Sequence, residues 1–349
     1  MKRYTYYPMI ERIREEPVFR SPKNMFLKIL MYAGVFIVMS LAESFGSVAL
    51  LIPQLFKWAT QQMEENGGTL DSQVATEYIT DLSNDPKNLF IMLLCTGFGT
   101  LVVMFFAKFP QGRRMRTIGF HKDAAVPRYL IGLIAGFVMF SAVVGIAYVM
   151  GGLKFEGYVG ASIGPLLLIF LGYGLQGMSE EVLCRGFYMS DTLRHKNLAW
   201  AIGVNSVIFG LLHAANAGFT LLAFINLILY AVMISFYTLR TDSLWGACAV
   251  HSIWNFVQGN FYGLPVSGID SGDSVFRMSL QGSVLANGGD FGLEASLATT
   301  IVMLAAIAVL LFVPLPFAVN RSKPADTTVP PTDDGPAQTE MPSVPDDQA

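Results

Sequence analysis

The chain has 349 residues, of which 53% are hydrophobic and 14% are charged, whereas soluble domains carry about 25% charged residues. Together with a mean hydropathy of +0.48, this composition predicts an integral membrane protein whose partners include lipids. The net charge of -3 leaves no basic excess for binding nucleic acid. All three cysteines fall inside apolar runs, so the sequence predicts neither a disulfide framework nor a soluble zinc ribbon.

Eight apolar runs are separated by polar or Gly/Pro-rich breaks. A helix needs about 20 apolar residues to cross roughly 30 Å of hydrocarbon, so these runs predict an all-α, polytopic transmembrane bundle with about eight spans. The runs cover residues 26–56, 88–107, 129–150, 163–189, 198–213, 219–239, 244–261 and 297–317.

The Lys and Arg residues are concentrated in alternate loops, and short cytoplasmic loops are the ones that collect such residues. The N-terminal segment, the second, fourth and sixth loops and the flank at Arg321 and Lys323 are basic. The first loop is acidic, and the Gly-rich stretch at 263–292 is poor in basic residues. This alternation predicts that both termini are cytoplasmic, and the membrane itself is expected to be a bacterial cytoplasmic membrane.

Ionisable residues cluster in the fourth run, although a charged residue within a span costs about 2.5 to 3.5 kcal/mol. Glu181 and Arg185 are one helical turn apart and are predicted to form a structural ion pair. Glu180 points about 100° away from that face, with only Gln176 and Cys184 at helical spacing. Glu180 is therefore the candidate catalytic base.

Two of the histidines lie in other apolar runs. His213 ends the fifth run, and His251 shares one face of the seventh run with Asn255. Assembled around one cavity, these groups would allow Glu180 and His213 to deprotonate a water while His251 and Asn255 stabilise an oxyanion. A second interpretation makes Glu180, His213 and His251 the ligands of a catalytic Zn²⁺. The sequence does not separate these two mechanisms.

A structural role is the alternative for each of these residues. His213 could cap a helix, and His251 with Asn255 could form hydrogen bonds between helices. The chain would then be a non-catalytic membrane protein, such as a bacteriocin immunity or scaffold factor or an ion carrier. Concentration of the polar groups in one cluster favours an enzyme. In depth, Glu180 and His251 agree, whereas His213 should lie nearer the outer side unless its helix tilts or starts late.

Three motifs occur in order along successive runs. They are Glu-Glu-x-x-x-Arg at 180–185, Phe-x-x-x-His at Phe209 and His213, and His-x-x-x-Asn at His251 and Asn255. This set resembles the CAAX protease and bacteriocin-processing family of intramembrane endopeptidases, also called the CAAX prenyl protease or Abi family. The resemblance implies hydrolysis of a membrane-associated or lipidated protein or peptide, with Glu180 and His213 activating water and His251 and Asn255 binding the oxyanion. Glu181, Arg185 and Phe209 would then have supporting roles.

The predicted organisation follows from these features. It consists of a basic cytoplasmic segment at 1–25, N-terminal spans at 26–162, the catalytic helical core at 163–262, an outer Gly-rich loop at 263–296, a last span at 297–320 and a disordered acidic, Pro-rich tail at 321–349. The tail contains too few large apolar residues to offset its ordering entropy. Small residues in the third run, including Gly132 and Gly136, favour close helix packing.

Overall fold

The computed structural model describes residues 7–270 and 272–314, and they form a mostly helical protein, as the composition predicts. The helices within these residues are α1 Pro8–Glu15, α2 Met25–Glu65, α3 Ser72–Asn84, α4 Pro86–Lys108, α5 Ala125–Val149, α6 Ile163–Glu181, α7 Ser190–Leu193, α8 Leu198–Leu212, α9 Leu221–Thr241, α10 Leu244–Phe256, α11 Val284–Asn287 and α12 Leu297–Phe312. The predicted tail at 321–349 lies outside the described residues.

Five helical segments among the described residues are long and apolar enough to cross a membrane. They lie on α2, α4, α5, the continuous helix from α6 to α7, and α9. Two of the remaining predicted runs form shorter helices, because α8 and α12 have 15 and 16 residues. At 1.5 Å per residue, such helices reach about 22 to 24 Å, less than the full hydrocarbon thickness. The helix α10 has 13 residues and continues as a π-helix over Val257–Phe261, which is where the predicted run at 244–261 ends.

The helix α10 lies at the centre of the bundle, where it packs against α5 and α6. Most of its residues are buried, so this apolar helix is covered by protein rather than by lipid. Small residues permit the close approach, as the sequence predicts. A Cβ atom on Gly132 of α5 would lie 2.3 Å from the backbone oxygen of Gly246, and one on Gly177 of α6 would lie 2.9 Å from the backbone nitrogen of Ser252.

The N-terminal helices attach to one end of this core through buried polar contacts. Arg12 of α1 forms a two-pronged ion pair with Asp242, at 2.8 and 2.5 Å. At the start of α2, the ammonium of Lys28 binds the carboxylate of Asp191 in α7, and both side chains are completely buried. Asp191 also accepts hydrogen bonds from Tyr32 and Gln111, so every oxygen of this carboxylate is satisfied.

The segment at 263–296, predicted as a Gly-rich loop, has regular structure of its own. It contains strand β2 (Phe276–Leu280), which pairs antiparallel with β1 (Leu153–Tyr158) and places Leu280 opposite Leu153. It also contains α11 and short 3₁₀ turns. Phe291 and Leu293 are fully buried in the main hydrophobic core. Glycine content alone thus mispredicted a segment that packs against the helices.

We expect Gly177→Ala to destabilise the protein by about 1 to 3 kcal/mol, because the added methyl would overlap α10 at a well-packed contact. Gly145→Ala on α5 is the matched control, since a Cβ atom there meets nothing within 4 Å. Thermal unfolding in detergent measures both changes. Equal melting temperatures for the two variants would contradict the close packing of α6 on α10.

Candidate active site

The two neighbouring glutamates stand at the end of α6, where the helix changes its winding. Residues Val182–Met189 continue as a π-helix, and all eight are buried. A π-helical turn adds a residue to the turn and is frequent at functional sites. Arg185 lies on this π-helical segment. Its Nη1 atom donates a hydrogen bond to Glu181 Oε1 at 2.9 Å. The structure therefore contains the ion pair that the sequence predicts.

The same oxygen of Glu181 also holds His251 of α10, with Nδ1 at 2.8 Å. A carboxylate paired with Arg185 is ionised and accepts hydrogen bonds, so His251 Nδ1 carries a hydrogen and donates it. The other ring nitrogen, Nε2, is then directed to Glu180. The guanidinium of Arg185 also lies over the Phe209 ring, 4.7 Å from its centroid. Glu181 thus orients a histidine, a role that the sequence did not reveal.

His213 presents its ring in the same way. Its Nδ1 atom lies 2.9 Å from the backbone oxygen of Phe209, and because a carbonyl only accepts, Nδ1 must be the donor. Its Nε2 atom lies 3.8 Å from Glu180 Oε2, and His251 Nε2 lies at the same distance from that oxygen. These gaps are too long for hydrogen bonds. They are suited to one water molecule that bridges the carboxylate and both rings.

The structure places His213 beside Glu180, although its position along the run predicts a site nearer the outer side. The helix α8 extends from Leu198 to Leu212, as the apolar run predicts, and His213 is its C-terminal cap. The Nε2 atom of His213 nevertheless lies 3.8 Å from Glu180 Oε2. The following turn lines the cavity through Asn216.

Asn255 is linked to Glu180 through Gln176 of α6. The Asn255 amide donates to Gln176 Oε1 at 2.9 Å, and the Gln176 amide in turn donates to Glu180 Oε1. The two carboxylate oxygens of Glu180 therefore differ in their hydrogen bonding. Oε1 is held by Gln176, whereas Oε2 is buried without a hydrogen-bond partner among the described residues. The sequence shows only that Gln176 lies one helical turn before Glu180. That Gln176 also binds Asn255 depends on the packing of α10 against α6.

One cavity of about 550 Å³ connects these residues. Glu180, His213, His251 and Asn255 line it together, so the structure brings the whole predicted set to one place. Much of the remaining wall is apolar and comes from the N-terminal helices, through Val48, Leu51, Leu55, Ile79, Leu82, Leu89, Met92 and Leu93. It is also lined by polar residues that the sequence did not single out, among them Glu43, Tyr230 and Glu294.

Glu294 closes the outer side of the cavity. Its Oε2 atom accepts hydrogen bonds from the backbone nitrogen and the hydroxyl of Ser267, at 2.7 and 2.8 Å. Burial raises the pKa of Glu294, and the two bonds from Ser267 oppose that change. The carboxylate therefore ties the segment at 263–296 together over the site. No motif could have predicted it, because its partners are distant in sequence from the catalytic set.

The predicted zinc ligands have suitable chemistry, because imidazole nitrogens and carboxylate oxygens are common donors to zinc. Glu180 Oε2 lies 3.8 Å from the Nε2 atoms of His213 and His251. Within the described part of the chain, no group of three or more His, Cys, Asp or Glu residues is placed to hold a metal ion. The water-bridged and the zinc-bound arrangement therefore both stay predictions.

Comparison with known proteins identifies this part of the chain. The family model described as Rce1-like, type II CAAX prenyl endopeptidase Rce1-like, matches residues 162–257. The match begins just before α6, includes all four candidate catalytic residues and ends two residues after Asn255. No curated protein and no solved structure matches the chain. The helices α2 to α5 and the segment from 258 onward lie outside the matched range. Residues 162–257 therefore match the Rce1-like family of type II CAAX prenyl endopeptidases, a protease family, and the five apolar helices long enough to cross a membrane indicate an integral membrane protein.

Proposed function

We propose that this protein is an intramembrane endopeptidase that hydrolyses a peptide bond of a membrane-associated or lipidated protein or peptide. One observation carries the proposal, which is that two histidine Nε2 atoms face the same unpartnered oxygen of Glu180 at 3.8 Å. Glu180 is the general base in this arrangement. The protease family of residues 162–257 supports the same reaction.

Water activation is the first chemical step. A water between Glu180 Oε2 and His213 Nε2 attacks the scissile carbonyl carbon, and its proton passes to Glu180. His213 can accept a hydrogen bond from this water because its own hydrogen is on Nδ1, bonded to Phe209. When the tetrahedral intermediate collapses, the carbon–nitrogen bond breaks and the leaving amine takes the proton from Glu180. No metal takes part in this sequence.

The negative oxygen of the intermediate is stabilised by His251 and Asn255. His251 already donates from Nδ1 to Glu181, so it can donate from Nε2 only as an imidazolium. Both of its ring nitrogens face carboxyl groups, Nδ1 that of Glu181 and Nε2 that of Glu180, so the proposal assigns the imidazolium form to His251. Asn255 uses one amide hydrogen on Gln176 and keeps a second for the oxyanion. Such donors act most strongly where water is excluded.

The apolar wall of the cavity supports a substrate with an apolar chain. Apolar side chains from α2, α3 and α4 line part of the cavity, so a transmembrane or lipid-bearing segment would find a matching surface there. The polar residues of the site would then contact only the peptide bond of the substrate that is cleaved. A bacterial cytoplasmic membrane is the proposed location.

We expect Glu180→Gln to lower kcat by about 10²- to 10⁴-fold, because an amide cannot accept the proton of the attacking water. The substitution keeps the side-chain shape, so the folded protein should survive. Cleavage of a membrane-protein or peptide library by detergent-solubilised protein measures the change, with the exposed Glu64→Gln as control. Undiminished cleavage by Glu180→Gln would rule out the mechanism, whereas an intact cellular phenotype without any cleavage would favour a scaffold or immunity role.

Asn255→Ala tests the oxyanion donors separately. Loss of one such donor should lower kcat by about 10²- to 10³-fold and change KM much less, since the interaction forms in the transition state. The control is Asn66→Ala at the exposed end of α2. A change confined to KM would show that Asn255 binds the substrate instead.

We expect activity to survive removal of metal ions by a chelator, because the proposed reaction uses protein groups and water alone. Metal content is measured in the same samples for the unchanged protein and for His251→Ala. About one zinc per active chain, lost in the variant together with activity, would select the zinc mechanism instead.

A further inference from the structure

The wall of the cavity contributed by α2 carries a carboxyl group close to Glu180. Glu43 is half-buried, lines the cavity and accepts a hydrogen bond at Oε1 from the hydroxyl of Ser179, at 3.0 Å. Ser179 immediately precedes Glu180 on α6. Glu43 itself lies outside the matched residues 162–257, so it is a feature of this chain rather than of the matched domain.

The carboxyl group of Glu43 packs against Gly99 of the neighbouring helix α4, where the missing side chain leaves space for it. A Cβ atom on Gly99 of α4 would lie 1.9 Å from Glu43 Oε1 and 2.7 Å from its Cδ atom. Any larger residue at this position would displace the carboxyl group from the cavity wall. Glycine at 99 therefore allows the side chain of Glu43 to reach Ser179.

Three carboxyl groups line the cavity, those of Glu43, Glu180 and Glu294. The basic side chains that line it within the described residues are His213 and His251, and both of them face Glu180. Glu181 is compensated by Arg185, but Glu43 forms no ion pair within the described ranges. A carboxylate at membrane depth is costly unless a cation or several donors compensate it. A bound ligand with a positive group would supply the missing compensation.

A second, independent feature also points to a bound ligand. Tyr230 is only 6% exposed, it lines the cavity, and its hydroxyl group has no hydrogen-bond partner in the part of the chain that the structure describes. Its ring lies 5.6 Å from that of Trp254, and Tyr173 lines the same cavity. A phenol oxygen accepts hydrogen bonds from ammonium and guanidinium groups, and aromatic faces attract them. Carboxyl and aromatic groups together match a basic side chain.

We propose that the cavity binds a Lys or Arg side chain of the substrate near the scissile bond, with the carboxylate of Glu43 as its partner. This inference rests on the proposed peptidase function and specifies its substrate. The substrate would combine an apolar segment, which contacts the wall from α2, α3 and α4, with a basic residue next to the cleaved bond. A cation near that bond would compensate Glu43 without occupying the site of the attacking water.

Binding to the Glu180→Gln protein tests the proposal without any need for cleavage. The probes are apolar peptides in which one position is either Lys or its neutral isostere norleucine, and the position is moved stepwise along the peptide. At one position the Lys peptide should bind about tenfold tighter, a ratio that corresponds to one buried ion pair at the lower end of measured couplings. Adding Glu43→Gln should reduce the ratio to about one, while adding Glu64→Gln should preserve it.

Equal affinities for the Lys and norleucine peptides at every position would overturn the proposal, and this comparison requires no change at Glu43. A preference for Lys that persists in Glu43→Gln would overturn the assignment to Glu43. The proposed function fails in a different way. Selective binding of Lys peptides, without cleavage of any of them by the unchanged protein, would contradict the peptidase reaction and leave the basic-residue site standing.

Discussion

The organisation of the site depends on one buried oxygen, Oε1 of Glu181, which binds Arg185 and His251 together. Removing three ionisable groups from water is costly, and their mutual attraction offsets that cost only when they remain in contact. This requirement ties the π-helical end of α6 to the centre of α10 and aligns the His251 ring. Glu180, one residue earlier, is thereby directed to the other side of the helix, toward the cavity. Pairing of one glutamate is what leaves its neighbour available for chemistry.

The segment at 263–296 covers the turn that follows α8. The side-chain amide of Asn216 in this turn donates a hydrogen bond to the backbone oxygen of Ser267 at 2.9 Å, and Glu294 accepts hydrogen bonds from the same Ser267. The segment thereby becomes part of the cavity wall, through Val266, Ser267, Ile269 and Glu294.

The cavity combines parts of different origin. Its polar side lies within residues 162–257, which match a protease family, whereas its apolar side and Glu43 come from α2, α3 and α4. The reaction would then be a property of the matched domain, and the choice of substrate would belong largely to the N-terminal helices. Gly172 of α6 shows that the two sides are closely fitted, because a Cβ atom there would lie 2.9 Å from the Cβ atom of Leu93 on α4.

The sequence by itself determined that lipid is the solvent, that the chain is mostly helical and which residues form the candidate catalytic set, because hydropathy and helical spacing are local properties. The pairing of Glu181 with Arg185 was equally accessible, since both lie one turn apart on one helix. Only the tertiary structure decided that His251 shares this pair, that Gln176 bridges Glu180 and Asn255, and that Glu43 and Tyr230 line the cavity. These features depend on contacts between residues that are distant in the chain, and a one-dimensional pattern carries no information on which apolar helix packs against which.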